Sequence, residues 1–294
     1  MAHAVPATVR AHGAALLLGG IVALAGTAVA DTRVDELRDQ GRITVAYVHE
    51  RPFGYLGGDG AATGEGLAVA RAVAERLGID DVDARMTERP SLVPGLNDGR
   101  WEMVASGLRI SPEHCGEVLF SQPTYRTGQA MLVQAGNPQQ INSYDDLQAS
   151  DDAVLGVIDG SVQREYARLE EIPAVRIEEF PNDDEMLSAL VAGRIDAAAG
   201  TRIAIQELAR RGGGDVQSAE PFITPAYGMV YGAFAFRKED EALRDAVDAV
   251  LDDFVGSAEH LDTVAEFGIT EVNMPGPLSV DELCDRDIPV AFPE

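Results

Sequence analysis

Two stretches decide the fold: residues 94–107, PGLNDGRWEMVASG, and residues 189–201, ALVAGRIDAAAGT. Each reads as the end of a helix, a Gly-Arg turn, an apolar-acidic pair, a short strand of small residues and a polar loop. Gly99 aligns with Gly193, Arg100 with Arg194, and Glu102 with Asp196. A helix that stops at glycine and feeds a strand directly is the crossover of an α/β sheet. Two such units predict two α/β lobes, each offering a loop at the carboxyl end of a strand. Those ends are where open α/β sheets hold ligands.

The flanking sequence alternates in the same way. Arg42 to Val48 (RITVAYV) reads as a strand and Gly57–Gly60 as a tight turn. Leu67 to Leu77 carries apolar residues at helical spacing and stops at Gly78. Strands near Val82–Met86 and Trp101–Ala105 bracket a helix from Ser91 to Asn97. Gln129 to Ala135 (QAMLVQA) and Tyr231 to Arg237 (YGAFAFR) are expected to cross as two antiparallel strands, forming a hinge. The expected division is residues 31–134 with 231–294 as the first lobe and residues 135–230 as the second. Glu241 to Val255 is helical by period and is expected to pack on the first lobe.

The first thirty residues read as a targeting segment. Arg10 precedes an apolar run from Gly13 to Ala25, and Ala28-Val29-Ala30 forms a small-residue cleavage pattern before Asp31. No twin arginine and no cysteine at the cleavage point accompany it, so a periplasmic protein without a lipid anchor is expected. The remainder, roughly 260 residues, is long enough for two medium lobes. A formal charge of −26 repels phosphate backbones and argues against nucleic acid as a partner. Cys115 and Cys284 both lie in the exported part, where two thiols are expected to form a disulfide. A monomer is expected.

Several other chemistries are absent from the pattern. Gly57 to Gly66 (GGDGAATGEG) lacks the Gly-Lys-Ser/Thr ending of a phosphate loop, so it reads as a turn. Beyond the targeting segment only His49, His114 and His260 remain, no two of them at i, i+4 spacing, so no metal site and no cofactor are expected. No G-x-S-x-G elbow marks a serine nucleophile.

Five stretches carry a family resemblance: Pro52-Phe-Gly-Tyr, Gly64 with its helix, Ser91-Leu-Val-Pro-Gly-Leu, Gly107-Leu-Arg-Ile-Ser-Pro-Glu-His and Leu119-Phe-Ser-Gln-Pro-Thr-Tyr. In these the chain resembles the family 3 extracellular solute-binding proteins, the amino-acid-type receptors of ABC importers. Its closest likeness there is to the ectoine- and hydroxyectoine-binding proteins, through His49-Glu-Arg-Pro-Phe-Gly-Tyr-Leu, Pro112-Glu-His-Cys, Tyr125 to Gly136 and Tyr231-Gly-Ala-Phe-Ala-Phe-Arg-Lys-Glu-Asp. The resemblance implies a periplasmic-binding-protein-like α/β fold of type II, closing by hinge motion on a small solute and docking on membrane permease subunits.

It also implies a site. Ectoine joins a delocalised cation to a carboxylate, so it calls for π-faces and an acid at one end and an arginine at the other. Glu50 and Phe53 stand where the resemblance places the acid and one aromatic wall. Arg89 and Arg109 stand where further aromatic walls are expected, and His114 where the carboxylate-binding arginine is expected. From the second lobe, Ser161 opens a helix after the strand Val154–Ile158, and Thr201 follows the second echoed strand. Many amino-acid receptors of the family carry an aspartate there for the α-amino group. The expected ligand is therefore ectoine, hydroxyectoine or a related amino-acid derivative with at least one negative group. The alternative is a periplasmic cyclohexadienyl-type dehydratase on the same fold, with Glu50 as acid or base and the arginines on substrate carboxylates.

Overall fold

The structure, a computed structural model, describes residues 1–4, 32–105, 108–222 and 228–285. The expected targeting segment falls almost wholly on residues 5–31, outside the described residues. Among the described residues no helix is long and apolar enough to cross a membrane.

The chain begins with α1 (Thr32–Gln40), β1 (Arg42–Tyr47) and a small hairpin of β2 (Tyr55–Leu56) and β3 (Ala62–Thr63). It continues through α2 (Glu65–Arg76), β4 (Asp81–Met86), α3 (Leu92–Asn97), β5 (Met103–Val104), α4 (Pro112–Glu117) and β6 (Leu119–Phe120). A crossing strand, β7 (Tyr125–Thr127), leads to β8 (Gln129–Gln134), α5 (Tyr144–Ala149), β9 (Leu155–Ile158) and α6 (Val162–Leu169). Then come β10 (Ile177–Phe180), α7 (Asp183–Val191), β11 (Ala197–Thr201), α8 (Arg202–Gly212) and β12 (Val216–Ser218). The return strand β13 (Val230–Gly232) precedes β14 (Ala235–Phe236), α9 (Glu241–Phe254), α10 (Ala258–Val264) and α11 (Val280–Cys284).

Two five-stranded sheets result, ordered β4-β1-β5-β14-β6 and β10-β9-β11-β8-β12. In each, four strands share one direction, three of them adjacent and parallel, and one, β14 in the first sheet and β8 in the second, runs antiparallel between its two neighbours. This is the type II two-lobed α/β architecture. Apolar residues of β1, α2 and α9 pack as one core; they include Val45, Leu67, Val69, Val73, Leu243 and Val247, all at most 1 % exposed. The echoed stretches occupy equivalent places. Gly99 and Gly193 both end their helices at positive φ, 71° and 70°, a conformation glycine adopts without a Cβ penalty. Glu102 Oε2 accepts from Thr44 N at 2.8 Å, and Asp196 Oδ2 accepts from Val154 N at the same distance. The amides of these two acids donate back to the Thr44 and Val154 carbonyls at 2.9 and 2.8 Å. Each echoed acid thus fastens its strand to the neighbouring chain segment in its own lobe.

The hinge differs from expectation. The antiparallel crossing pair is β7 with β13, registering Tyr125 with Gly232 and Thr127 with Val230. Gln129–Gln134 instead lies between β11 and β12 inside the second sheet, and Ala235–Phe236 lies inside the first. The reason is burial: Gln129 to Val133 is buried at five consecutive positions, as suits a strand covered on both faces. Cys115 and Cys284 are bonded, as expected, and fasten α11 to α4.

Candidate functional site

Six of the seven expected site residues line one cavity of about 580 Å³ between the lobes: Glu50, Arg89, Arg109 and His114 from the first, Ser161 and Thr201 from the second. Phe53 does not line it. It is 2 % exposed and stacks on Tyr125, ring centroids 5.1 Å apart and planes 17° from parallel. The expected aromatic wall is thus part of the core behind the cleft. Among the described residues, no phenylalanine, tyrosine or tryptophan lines this cavity.

Glu50 sits at the start of a tight loop, where Glu50 and Gly54 exchange backbone hydrogen bonds of 2.7 and 2.9 Å. Only glycine fits at Gly64 behind this loop: its φ is 126°, and a Cβ would meet the Phe53 carbonyl oxygen at 2.5 Å. The loop is held close to α2, and Glu50 is aimed at the 3₁₀ turn that carries Arg89. The Glu50 carboxylate accepts from Arg89 Nη2 in an ion pair. Arg89 also reaches the opposite lobe, since a Cβ on Gly160 would lie 3.4 Å from Arg89 Cδ. The two side chains cancel each other's charge.

Arg109 is different. Its backbone bridges Gly232 of the hinge strand β13, so it is fixed at the pivot. Burial lowers its pKa, opposed by Tyr166, Glu113 and Glu165 nearby. Among the described residues no carboxylate lies within salt-bridge distance of it, whereas Arg89 has Glu50. A half-buried guanidinium outside any ion pair among the described residues is free to meet a carboxylate.

His114 Nδ1 lies 3.1 Å from the Arg109 carbonyl oxygen and 3.2 Å from Ser111 Oγ. The carbonyl can only accept, so in this arrangement Nδ1 carries a proton. The histidine that stands in the arginine's place therefore braces Arg109 through its backbone.

Ser161 begins α6 but makes no capping bond with its side chain. Its Oγ is shut off from solvent and, among the described residues, has no hydrogen-bond partner. A buried hydroxyl left unpaired is costly, and Ser161 is one of the residues that line the cavity. Thr201 behaves otherwise: its Oγ1 accepts from Ala204 N at 3.3 Å and caps α8.

Sequence reasoning missed four polar lining residues. Glu113 and Glu117 sit one helical turn apart on α4, and Gln163 and Glu165 lie on α6. The i, i+4 glutamates were visible in Pro112-Glu-His-Cys-Gly-Glu. Gln163 Nε2 donates to Gln129 Oε1 at 2.7 Å, and Gln129 Nε2 donates to the Gly228 carbonyl at 2.9 Å. This buried chain ties α6 to β8 and to the segment entering the return strand. Its only signal was one polar residue heading an otherwise apolar strand. With Glu50 paired to Arg89 and Glu165 to Arg168, the cavity offers, among the described residues, one arginine outside any ion pair, Arg109, and two such carboxylates, Glu113 and Glu117.

The comparisons agree with this architecture. The description of bacterial extracellular solute-binding proteins, family 3, matches residues 43–265. The chain is 32 % identical over 241 residues to a probable amino-acid ABC transporter periplasmic-binding protein, y4tE, of Sinorhizobium fredii (strain NBRC 101917 / NGR234), covering 80 % of this chain and 79 % of that one. It is 28 % identical over 197 residues to the L-cystine-binding protein TcyJ of Escherichia coli (strain K12), covering 67 % of this chain and 71 % of the relative. Among solved structures, EhuB in complex with hydroxyectoine superposes with a TM-score of 0.77 at 30 % identity, over 88 % of this chain and 99 % of that one. The ancestral amino acid-binding protein AncCDT-1, a precursor of cyclohexadienyl dehydratase, superposes with a TM-score of 0.72 at 26 % identity, over 80 % and 99 %. The chain belongs to the bacterial extracellular solute-binding proteins, family 3.

Proposed function

We propose that this protein is the receptor of an amino-acid-type ABC importer and takes a zwitterionic solute, a class that includes ectoine and hydroxyectoine. Its family binds small solutes outside the membrane and hands them to ABC permeases. The observation that carries the ligand class is Arg109, a desolvated cation without a protein carboxylate, facing a cavity otherwise rich in glutamate. A carboxylate meets Arg109 and the Ser161 hydroxyl; an ammonium or amidinium group meets Glu113 and Glu117. This reading replaces π-faces with ion pairs as the grip on the cation. It also narrows the expectation of a zwitterionic or anionic solute to one bearing both charges.

Closure follows from the division of labour. The first lobe supplies Arg109 and the second supplies Ser161, so a solute that touches both favours the closed form by its differential affinity. The dehydratase alternative gains no support from the site, because Glu50, the carboxylate it needs as acid or base, already accepts from Arg89.

The test is a melting-temperature panel with ectoine, hydroxyectoine, L-cystine, glutamate, glutamine, histidine and arginine. A rise of several degrees with one or more zwitterions at about 100-fold over Kd is expected. No rise with any of them, or a rise with dicarboxylates alone, overturns the reading.

A further inference from the structure

A second constellation stands beside the solute cavity. His49 follows β1 in the first lobe, and Asp183 and Asp184 open α7 in the second. One donor atom from each residue lies within 4.8 Å of the other two. His49 Nε2 and Asp184 Oδ2 are 3.5 Å apart. That is too long for a good charge-assisted hydrogen bond. It is, however, the spacing two ligands of one tetrahedral zinc keep, since metal–donor distances near 2.0–2.2 Å put donors roughly 3.4 Å apart.

Asp183 supplies an independent pointer. It is 4 % exposed, and its Oδ2 accepts from Arg211 Nη1 at 2.8 Å, while its Oδ1 is buried with no hydrogen-bond partner among the described residues. A carboxylate oxygen in that state is a vacant ligand. His49 and Asp183 both line a cavity of about 660 Å³ that adjoins the solute cavity through Glu50 and Arg89, which gives an ion a way in.

We propose that His49, Asp183 and Asp184 form a three-ligand site for a zinc-like divalent cation that bridges the two lobes. The imidazole selects a transition-type ion over magnesium or calcium, which prefer all-oxygen shells. Arg211 pairs with both aspartates and orients them, as outer-layer partners of metal ligands do. Asp183, Asp184 and Glu185, all in the first turn of α7, outweigh Arg211 and the partial positive charge of the helix end, so the spot stays negative. Because the imidazole and the carboxylates come from opposite lobes, the ion binds the closed form and acts as a latch. Histidine spacing along the sequence does not reveal the site, whose donors converge from separate elements. The inference stands apart from the identity of the solute.

The experiment uses EDTA-stripped protein at pH 7.5, without solute, titrated with ZnCl₂. At about 100-fold over the zinc Kd, the melting temperature should rise by about 5–10 °C, and MgCl₂ should give no such rise. His49→Ala and Asp184→Asn, both changes at partly exposed side chains, should each remove most of the zinc effect; their melting temperatures without zinc report whether they fold. The proposal is overturned by no zinc-dependent rise in the wild type. It is equally overturned if folded His49→Ala keeps the full rise, which would assign zinc to the acidic surface at large.

Discussion

Arg89 and Glu50 are partners in one ion pair at the edge of the cleft, with both side chains about one-fifth exposed. In the sequence they look like opposite instructions, an acid for a cationic ligand and a cation that would repel it. In the structure they neutralise each other and leave Arg109 as the cation that answers to the solute. Glu50→Gln should therefore cost stability, about 1–3 kcal/mol, with partial exposure favouring the lower end. A double-mutant cycle with Arg89→Met, read by urea unfolding, should give a coupling above about 0.5 kcal/mol. Additive single effects would mean that the two do not interact.

Ser161 and Thr201 both open helices at the cleft, but only Thr201 caps with its side chain. Thr201→Ala should cost about 1 kcal/mol of stability. Ser161→Ala removes an unpaired buried hydroxyl and should leave stability unchanged or raise it by about 1 kcal/mol, yet weaken solute binding by about three- to tenfold. Thermal unfolding and calorimetry of the two variants separate the roles. A large stability loss in Ser161→Ala with unchanged affinity would reverse the assignment.

Glu65, 1 % exposed at the start of α2, accepts from Thr124 Oγ1 at 3.4 Å, and burial pushes its carboxyl up to about 8. Above its ordinary value of 4.5 the unfolded chain releases this proton while the folded protein keeps it. Stability contributed by Glu65 is thus present in acid and is lost as pH rises from about 4.5 to about 8. The slope approaches about 1.4 kcal/mol per pH unit for one proton. Asp248, pushed up to about 6 chiefly by burial, acts in the same direction over the lower part of the range. Urea midpoints of the wild type should fall from pH 5.5 to pH 8, and Glu65→Gln should flatten that fall. Parallel profiles would show that Glu65 ionises normally.

The bond between Cys115 and Cys284 closes a long loop and anchors the helix that carries Glu113, His114 and Glu117. Replacing both cysteines with serine should cost about 2–5 kcal/mol. It should also weaken solute binding, because one wall of the cavity is then free to shift. Unchanged affinity in the folded double variant would confine the disulfide to a structural part.

Much of this fold was legible because its signals are local. The Gly99 and Gly193 turns, the helix over Leu67–Leu77 and the strand at Arg42 state their conformations within a few residues. The hinge was misplaced by a few residues because Gln129–Val133 is a longer apolar run than Tyr125-Arg126-Thr127, and apolar length reports burial rather than crossing. The resemblance implies an aromatic wall at Phe53, but a residue's type does not fix its side chain's direction; the stack on Tyr125 is a tertiary fact. The Glu50–Arg89 pairing and the orphaned Ser161 hydroxyl depend on how separate elements meet. No spacing along the chain encodes them.

The most direct test of the central claim is calorimetric titration of the best zwitterion from the solute panel into wild type and Arg109→Met. Methionine keeps much of the apolar stem and removes the charge. The account predicts that Arg109→Met, while remaining folded, loses affinity by at least about 100-fold, as expected for a desolvated ion pair. It also predicts that the methyl ester of the same solute fails to bind the wild type. Wild-type affinity retained in Arg109→Met would contradict the claim that Arg109 anchors the solute.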